Sequence, residues 1–134
     1  MRLLLMLVTI FSISNANSQV NILISYSEKE IRGEMPNAIF QITQIDKYRK
    51  NIATQSLGNF TTIYYLQSDT CYKTTFVPID TEVMNGFIET LNKGSVKISS
   101  SEWKLYLGGR IIQIKLVYYN QFKRYSIECV EIKS

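Results

Sequence analysis

Alternation of apolar and polar side chains recurs through the chain after residue 38 and restricts it to a sheet-rich fold. Four stretches are predicted strands on this ground: 60–66, 71–77, 110–119 and 124–132. Alternate side chains of a strand point to opposite faces, so each stretch predicts a strand with one buried face. Further strands are predicted at 20–26, 39–45, 96–98 and 103–107.

Two segments carry helical signals, and each begins with a capping residue. Ser27 and Glu30 form a capping-box pattern for a first helix, which Pro36 ends. Asp80 is a good N-cap for a second helix, and Gly94 is placed to end it in the left-handed conformation. The second helix carries an apolar stripe at helical period: Val83, Met84, Phe87, Ile88 and Leu91.

The order of these elements predicts an α+β fold. We expect an antiparallel sheet of about six to eight strands, with two short amphipathic helices packed on one face. Residues 67–70 and Gly108-Gly109 carry hairpin signals. Each helix is followed by a Leu-Gly turn, at 57–59 and at 107–109, so an internal duplication is one explanation of the order. A two-helix antiparallel domain without duplication is the other.

The N-terminus predicts export. Arg2 precedes a short apolar run from Leu3 to Phe11, and the chain then turns polar towards Ala16 and Ser18. This is the pattern of a cleavable signal peptide, and the run is too short to span a bilayer. We therefore expect a signal peptide at 1–18 and a single domain at 19–134, secreted or periplasmic. Because no cysteine lies directly after the cleavage site, we expect no lipid anchor.

The charge balance is mild. The chain has 15 Lys and Arg against 11 Asp and Glu, a net charge of +4, and loss of Arg2 with the signal peptide would leave +3. These charges are spread along the sequence rather than clustered, so we do not expect nucleic acid as a partner.

The residue types argue against an enzyme. The chain has no histidine, which removes Ser-His, Cys-His and His-metal chemistry. Its pairs of acidic residues are explained without catalysis. Glu28 and Glu30 lie at a helix start, and Glu128 and Glu131 are predicted to be solvated on a strand. We expect no cofactor and no metal ion. An enzyme that uses carboxylates, Tyr or Lys is a third hypothesis, and it predicts a deep pocket.

Aromatic and basic residues interleaved on the predicted strands are the one feature that points to binding. Tyrosines beside cations on a sheet face can anchor a protein or stack on a ligand. The alternative is that Tyr is a good strand former and Lys a usual solvent-facing residue. The candidate binding residues are Tyr64, Tyr72, Tyr106, Tyr119, Lys73, Lys104 and Lys115.

The two cysteines allow two alternatives. Cys71 and Cys129 both lie on predicted strands. Export permits a disulfide between them, which would close a long loop and stabilise the fold by roughly 4 kcal/mol. Two buried free thiols are the other alternative, because cysteine is among the most buried residue types.

The segment Ser27-Glu28-Lys29-Glu30-Ile31, followed by strands, resembles the helix-plus-sheet modules of the β-lactamase-inhibitor-like kind. The segments 99–103 and 112–116 also resemble small secreted bacterial proteins. The resemblance implies a short capped helix before an antiparallel sheet, and it transfers no functional residue.

Together these features predict an exported, non-enzymatic binding module. Its partner would be a protein or a small ligand engaged through the sheet. The alternative is an inhibitor or immunity-type protein directed at an extracellular enzyme.

Overall fold

The structure is a computed structural model that describes residues 22–56, 59–121 and 123–132. The predicted signal peptide lies outside these residues. The described elements comprise two helices and eight strands: α1 (Glu28–Glu34), β1 (Phe40–Gln44), β2 (Arg49–Ser56), β3 (Phe60–Gln67), β4 (Thr70–Pro78), α2 (Thr81–Gly94), β5 (Val96–Ser99), β6 (Glu102–Leu107), β7 (Arg110–Tyr119) and β8 (Arg124–Ile132).

All eight strands form one antiparallel sheet in the order β1-β2-β3-β4-β8-β7-β6-β5. Each helix is followed by four strands that pair consecutively, and the two four-stranded units meet where β4 pairs with β8. The prediction of an α+β fold with an antiparallel sheet is therefore confirmed. This repeated order of one helix and four strands is also the order that the duplication hypothesis predicts.

The hairpin turns follow from their residues. Ser68 and Asp69 join β3 to β4 with φ of 49° and 58°, and Gly108 and Gly109 join β6 to β7 with φ of 50° and 85°. Two-residue hairpins of this kind need positive φ at both central positions, which Gly and Asp tolerate. Both predicted hairpins are confirmed.

The strand predicted at 20–26 is wrong for the residues that the structure describes. Residues 22–26 form a turn, in which Ser25 has φ of 82°. The Ser25 N–H donates to the Cys71 carbonyl at 2.7 Å, and the Cys71 N–H donates to the Tyr26 carbonyl at 2.9 Å. The apolar residues here are buried consecutively rather than alternately: Ile22, Leu23, Ile24 and Tyr26. The segment is therefore part of the hydrophobic core although it forms no strand.

Strand register assigns most of the buried strand residues to one face of the sheet, which we call the core face. Its central positions are linked by direct pairing from β3 across β4, β8 and β7 to β6: Tyr64, Thr74, Cys129, Ile114 and Trp103. All five are buried. Trp103 is the largest of these side chains, and its indole N–H donates to Asn92 Oδ1 at 2.9 Å. Burying both the ring and its donor requires such a partner.

The second helix, α2, contacts the core-face residues through its apolar stripe. Its Phe87 ring lies 5.5 Å from the Phe60 ring and 5.6 Å from the Phe76 ring, distances typical of packed aromatic pairs. Asp80 caps the helix as predicted and accepts the Val83 N–H at 2.9 Å.

The predicted left-handed end of α2 at Gly94 is wrong. Gly94 is the last helical residue, and Ser95 follows with an extended backbone, φ of −141°. The backbone N–H of Ser95 donates to the Leu91 carbonyl at 3.0 Å, and its hydroxyl donates to the same carbonyl at 2.7 Å. A serine side chain thus satisfies the helix end without a glycine turn.

The capping box of α1 is confirmed. Ser27 Oγ accepts the Glu30 N–H at 3.2 Å, and Glu30 Oε1 accepts the Ser27 N–H at 3.1 Å. Glu28 pairs with Lys50 of β2 and with Arg32, and these cations lower the pKa of its carboxyl. The short helix is therefore joined to the sheet at its first turn.

Replacing Ser27 with Ala is expected to lower the free energy of unfolding by about 1 kcal/mol, because the Glu30 N–H loses its acceptor. Urea-induced unfolding measures the change. Ser101→Ala is the matched control, since Ser101 lies in an exposed turn. Equal losses in the two variants would contradict the capping role.

Candidate binding face

Six of the seven predicted binding residues lie on the sheet face opposite the core face, which we call the polar face. Lys73 pairs with Tyr65 across β3 and β4, and Lys115 pairs with Glu128 across β7 and β8. Lys104 and Tyr106 alternate with the buried Trp103 and Leu105 on β6. Tyr72 and Tyr119 complete the six.

A β-bulge puts two neighbouring residues of β4 on this face. The β3–β4 register shifts between Tyr65 and Leu66, so that Tyr72 and Lys73 both lie opposite Tyr65. The Tyr65 and Tyr72 rings are 6.4 Å apart, and Lys73 Nζ lies 4.4 Å from the centroid of the Tyr65 ring. The bulge thus builds an aromatic and cationic cluster that regular alternation would have split between two faces.

The centre of the polar face is a network around Glu128. Lys73 Nζ lies 3.8 Å from Glu128 Oε2, and the Tyr119 hydroxyl donates to the same oxygen. The fully buried Thr75 is opposite Glu128 in the register and adjoins both Tyr65 and Tyr119. Glu128 therefore belongs to the face as its anionic centre, and the prediction that it is solvated is wrong, since it is half-buried.

Electrostatics fix the protonation of this network. Burial, reinforced by the hydrogen bond to Glu128, raises the pKa of Tyr119 well above its usual value. The phenol therefore stays protonated at neutral pH and serves as a donor to the carboxylate. Because Lys73 and Tyr119 both satisfy Glu128, the network is a rigid polar centre from which neighbouring side chains project.

Two lysines of this face make no ion pair with a described residue. Across residues 22–56, 59–121 and 123–132, neither Lys104 nor Lys115 lies within ion-pair distance of a carboxylate. The nearby Glu102 instead accepts from Gln113 Nε2 at 3.0 Å. The polar face thus carries these two lysines as well as the exposed ring of Tyr106.

The seventh predicted residue, Tyr64, lies elsewhere. It is on the core face with 1% of its surface exposed, and burial raises the pKa of its phenol strongly. Its hydroxyl lies 3.8 Å from Met35 Sδ, just beyond α1. The neighbouring Tyr65, one position along β3, takes the place on the polar face. This position does not support a ligand contact by Tyr64.

Both cysteines are free thiols in the structure, buried on the core face. Cys129 lies opposite Thr74, while Cys71 lies opposite Leu66 at the bulge. The Cys71 thiol is 3.8 Å from Thr74 Oγ1. Burial raises the pKa of Cys71 to about 11 and raises that of Cys129 as well.

We expect neither thiol to react with Ellman's reagent in the native protein at pH 8, and both to react after denaturation. The thiolate is the reactive form, and burial suppresses both ionisation and access. Absorbance of the released thiolate counts the reacted groups. A denatured, unreduced protein without reactive thiols would show a disulfide instead.

Other parts of the described chain offer little chemistry. No group of three or more His, Cys, Asp and Glu residues there is placed to hold a metal ion. A cavity of about 560 Å³ beside β1 and β2 is lined by uncharged residues: Asn37, Ala38, Ile39, Gln41, Ala53, Thr54, Gln55 and Thr61. Neither described helix is both long and apolar enough to cross a membrane.

The sequence predicted the tyrosines and lysines of the polar face but missed two of its residues. Glu128 and Thr75 become central only because β8 pairs with β4, which are adjacent in the sheet and distant in sequence. No family model, curated protein or solved structure matches the chain, so the polar face stands on its own geometry.

Proposed function

We propose that this chain is an exported, non-enzymatic module that binds a protein partner through its polar face. The observation that carries the proposal is the grouping, on one side of the sheet, of accessible tyrosines and of lysines that make no ion pair with a described residue. Tyr72 and Tyr106 are exposed on this face, and Lys104 and Lys115 lie on the same face. Export is inferred from the signal-like sequence at 1–18.

The arrangement of the two helices supports the proposal. We infer that both cover the core face, because Met35 after α1 contacts Tyr64, and Phe87 of α2 contacts Phe76. The polar face would then be left for a partner. Its centre is held by the Glu128 network, so little side-chain ordering is needed on binding.

A protein fits this face better than a small ligand. The six candidate residues lie on three strands, β4, β6 and β7, whereas a small ligand is usually enclosed by a concave pocket. Tyrosine anchors surrounded by polar and charged groups are the composition of many protein interfaces. The narrower form of the proposal is an inhibitor or immunity-type protein, in which the partner is an extracellular enzyme.

Affinity capture tests the proposal. The exported form of the chain is immobilised and exposed to periplasmic and secreted extracts, and a captured protein is then titrated against it. We expect saturable binding with wild type and loss of binding when Lys104 and Lys115 are both replaced by Glu.

The matched control is Lys97→Glu combined with Lys93→Glu, which reverses two charges away from the polar face. It should retain binding. Equal loss in both double variants would indicate a response to net charge alone and would contradict recognition by the polar face. So would the absence of any saturable partner.

A further inference from the structure

No described residue pairs with the outer edge of β1, and β1 lacks the features that usually block strand pairing. β1 is the first strand of the sheet and pairs only with β2 among the described strands. Edge strands expose unpaired N–H and C=O groups, and proteins commonly protect them with charges, proline or bulges. The opposite edge, β5, carries Lys97 and an irregular register. β1 has neither a charged residue, a proline nor a register shift.

Hydrogen bonds identify which backbone groups of β1 point outward. The Ile45 N–H donates to the Arg49 carbonyl at 2.9 Å, so residue 45 points toward β2. The Ile39 carbonyl also points toward β2, because it accepts from Thr54 Oγ1 at 2.9 Å. Because direction alternates along an antiparallel strand, the outward groups belong to the even positions. These are Phe40, Ile42 and Gln44.

The exposed isoleucines at this edge are arranged symmetrically about Ile42, as the outward backbone groups are. Ile39 is 86% exposed, Ile42 is 44% exposed and Ile45 is 48% exposed. They are evenly spaced, with Ile42 at the centre of both this set and the outward backbone groups. A strand with such a pattern is complementary to an antiparallel copy of itself.

We propose that β1 pairs with β1 of a second copy of the chain about a two-fold axis at Ile42. Ile42 then faces Ile42 of the second copy, and Phe40 faces its Gln44. These pairs use the outward N–H and C=O groups on both strands. On the other sheet face, Ile39 meets Ile45 of the second copy, so each exposed isoleucine gains an isoleucine neighbour.

Charge and polarity favour a second copy over an unrelated strand. Residues 37–45 carry no charge, so two positively charged chains can approach here without facing like charges. Gln41 would lie opposite Thr43, and Asp46 opposite Ala38, which pairs polar with polar and places no two charges together. The even spacing about Ile42 makes the interface isologous, as a two-fold dimer requires.

The proposed dimer is a property of the chain beyond its proposed binding function. Antiparallel pairing about this axis joins the two eight-stranded sheets edge to edge. Both core faces then lie on one side and both polar faces on the other. The assembly would present two binding faces in the same direction, which permits bivalent binding.

Sedimentation equilibrium of the exported chain tests the proposal. Wild type is expected to show a monomer–dimer equilibrium that shifts towards dimer with concentration. Ile42→Lys should lower the association constant by more than about tenfold, because two ammonium groups would then face each other. Ile98→Lys, on the opposite edge, is the matched control and should leave the association constant unchanged.

A cross-linking variant tests the register and does not depend on the fold tolerating a lysine. Ile42→Cys places two thiols on the axis, at the Cα separation of about 5.5 Å that a disulfide accepts. Mild oxidation should give a covalent dimer in non-reducing gels, whereas Thr43→Cys should give at least about fivefold less. A wild-type monomer at all concentrations, or equal cross-linking at both positions, would overturn the proposal.

Discussion

Replacing Trp103 with Ala is expected to lower the free energy of unfolding by about 3–5 kcal/mol. Its ring is fully buried on β6, and truncation leaves a cavity that the surrounding sheet and α2 cannot close. The hydrogen bond to Asn92 is lost as well. Because many domains are stable by only about 5–15 kcal/mol, this variant should be partly unfolded at 37 °C. Urea-induced unfolding followed by circular dichroism measures the loss.

Two controls separate the cavity from other effects. Trp103→Phe keeps most of the ring and should lose less than half as much stability. Lys104→Ala, the next residue along the strand, lies on the polar face and should change the free energy by less than about 0.5 kcal/mol. A loss at Lys104 as large as at Trp103 would contradict the assignment of the two faces.

Replacing Tyr106 with Ala is expected to weaken partner binding by at least about thirtyfold, which corresponds to about 2 kcal/mol. Tyr106 is 56% exposed on the polar face and lies two positions from Lys104 on β6. Accessible tyrosines supply a large contact area at low entropic cost, which is why they dominate many interfaces. Isothermal titration against the captured partner measures the change.

Tyr125 provides the matched control. It is 54% exposed and belongs to the same sheet, but its register pairs it with Tyr118 on the opposite side. The two rings pack at 5.2 Å. Tyr125→Ala should leave the affinity within about threefold of wild type. A comparable loss at Tyr125 would show that the contact surface extends beyond the polar face or lies elsewhere.

Local chemistry explains which elements could be predicted from sequence. The helix caps and hairpins depend on a few neighbouring residues, such as Ser27 with Glu30, or Gly108 with Gly109. Such signals act over one turn of chain, so they do not depend on the rest of the fold. The strands β3, β6 and β7 were predicted well because each has one buried face and therefore alternates.

The errors arise where tertiary context overrides a local pattern. Residues 22–26 alternate like a strand, yet they pack as a turn because Ser25 and Tyr26 bond to the backbone of Cys71. Gly94 matched a common helix end, but Ser95 supplies the capping hydroxyl instead. In each case a contact made elsewhere satisfies the backbone and removes the need for the predicted conformation.

The candidate site was predicted in composition but not in arrangement. Period-two alternation cannot show that β4 pairs with β8, and that pairing brings Glu128 to Lys73. Nor can it reveal the bulge that puts Tyr72 and Lys73 on one face, since a bulge shifts the alternation by one residue. Tyr64 was included for the same reason, because sequence does not fix which face of a strand is buried.

Hydroxyl-radical footprinting of the tyrosine side chains tests the central claim most directly. Oxidation of Tyr72, Tyr106, Tyr48 and Tyr125 is compared by mass spectrometry with and without saturating captured partner. All four are exposed in the chain alone. Binding through the polar face predicts that Tyr72 and Tyr106 become protected while Tyr48 and Tyr125 react as before. Protection of Tyr125 with no change at Tyr72 and Tyr106 would contradict it.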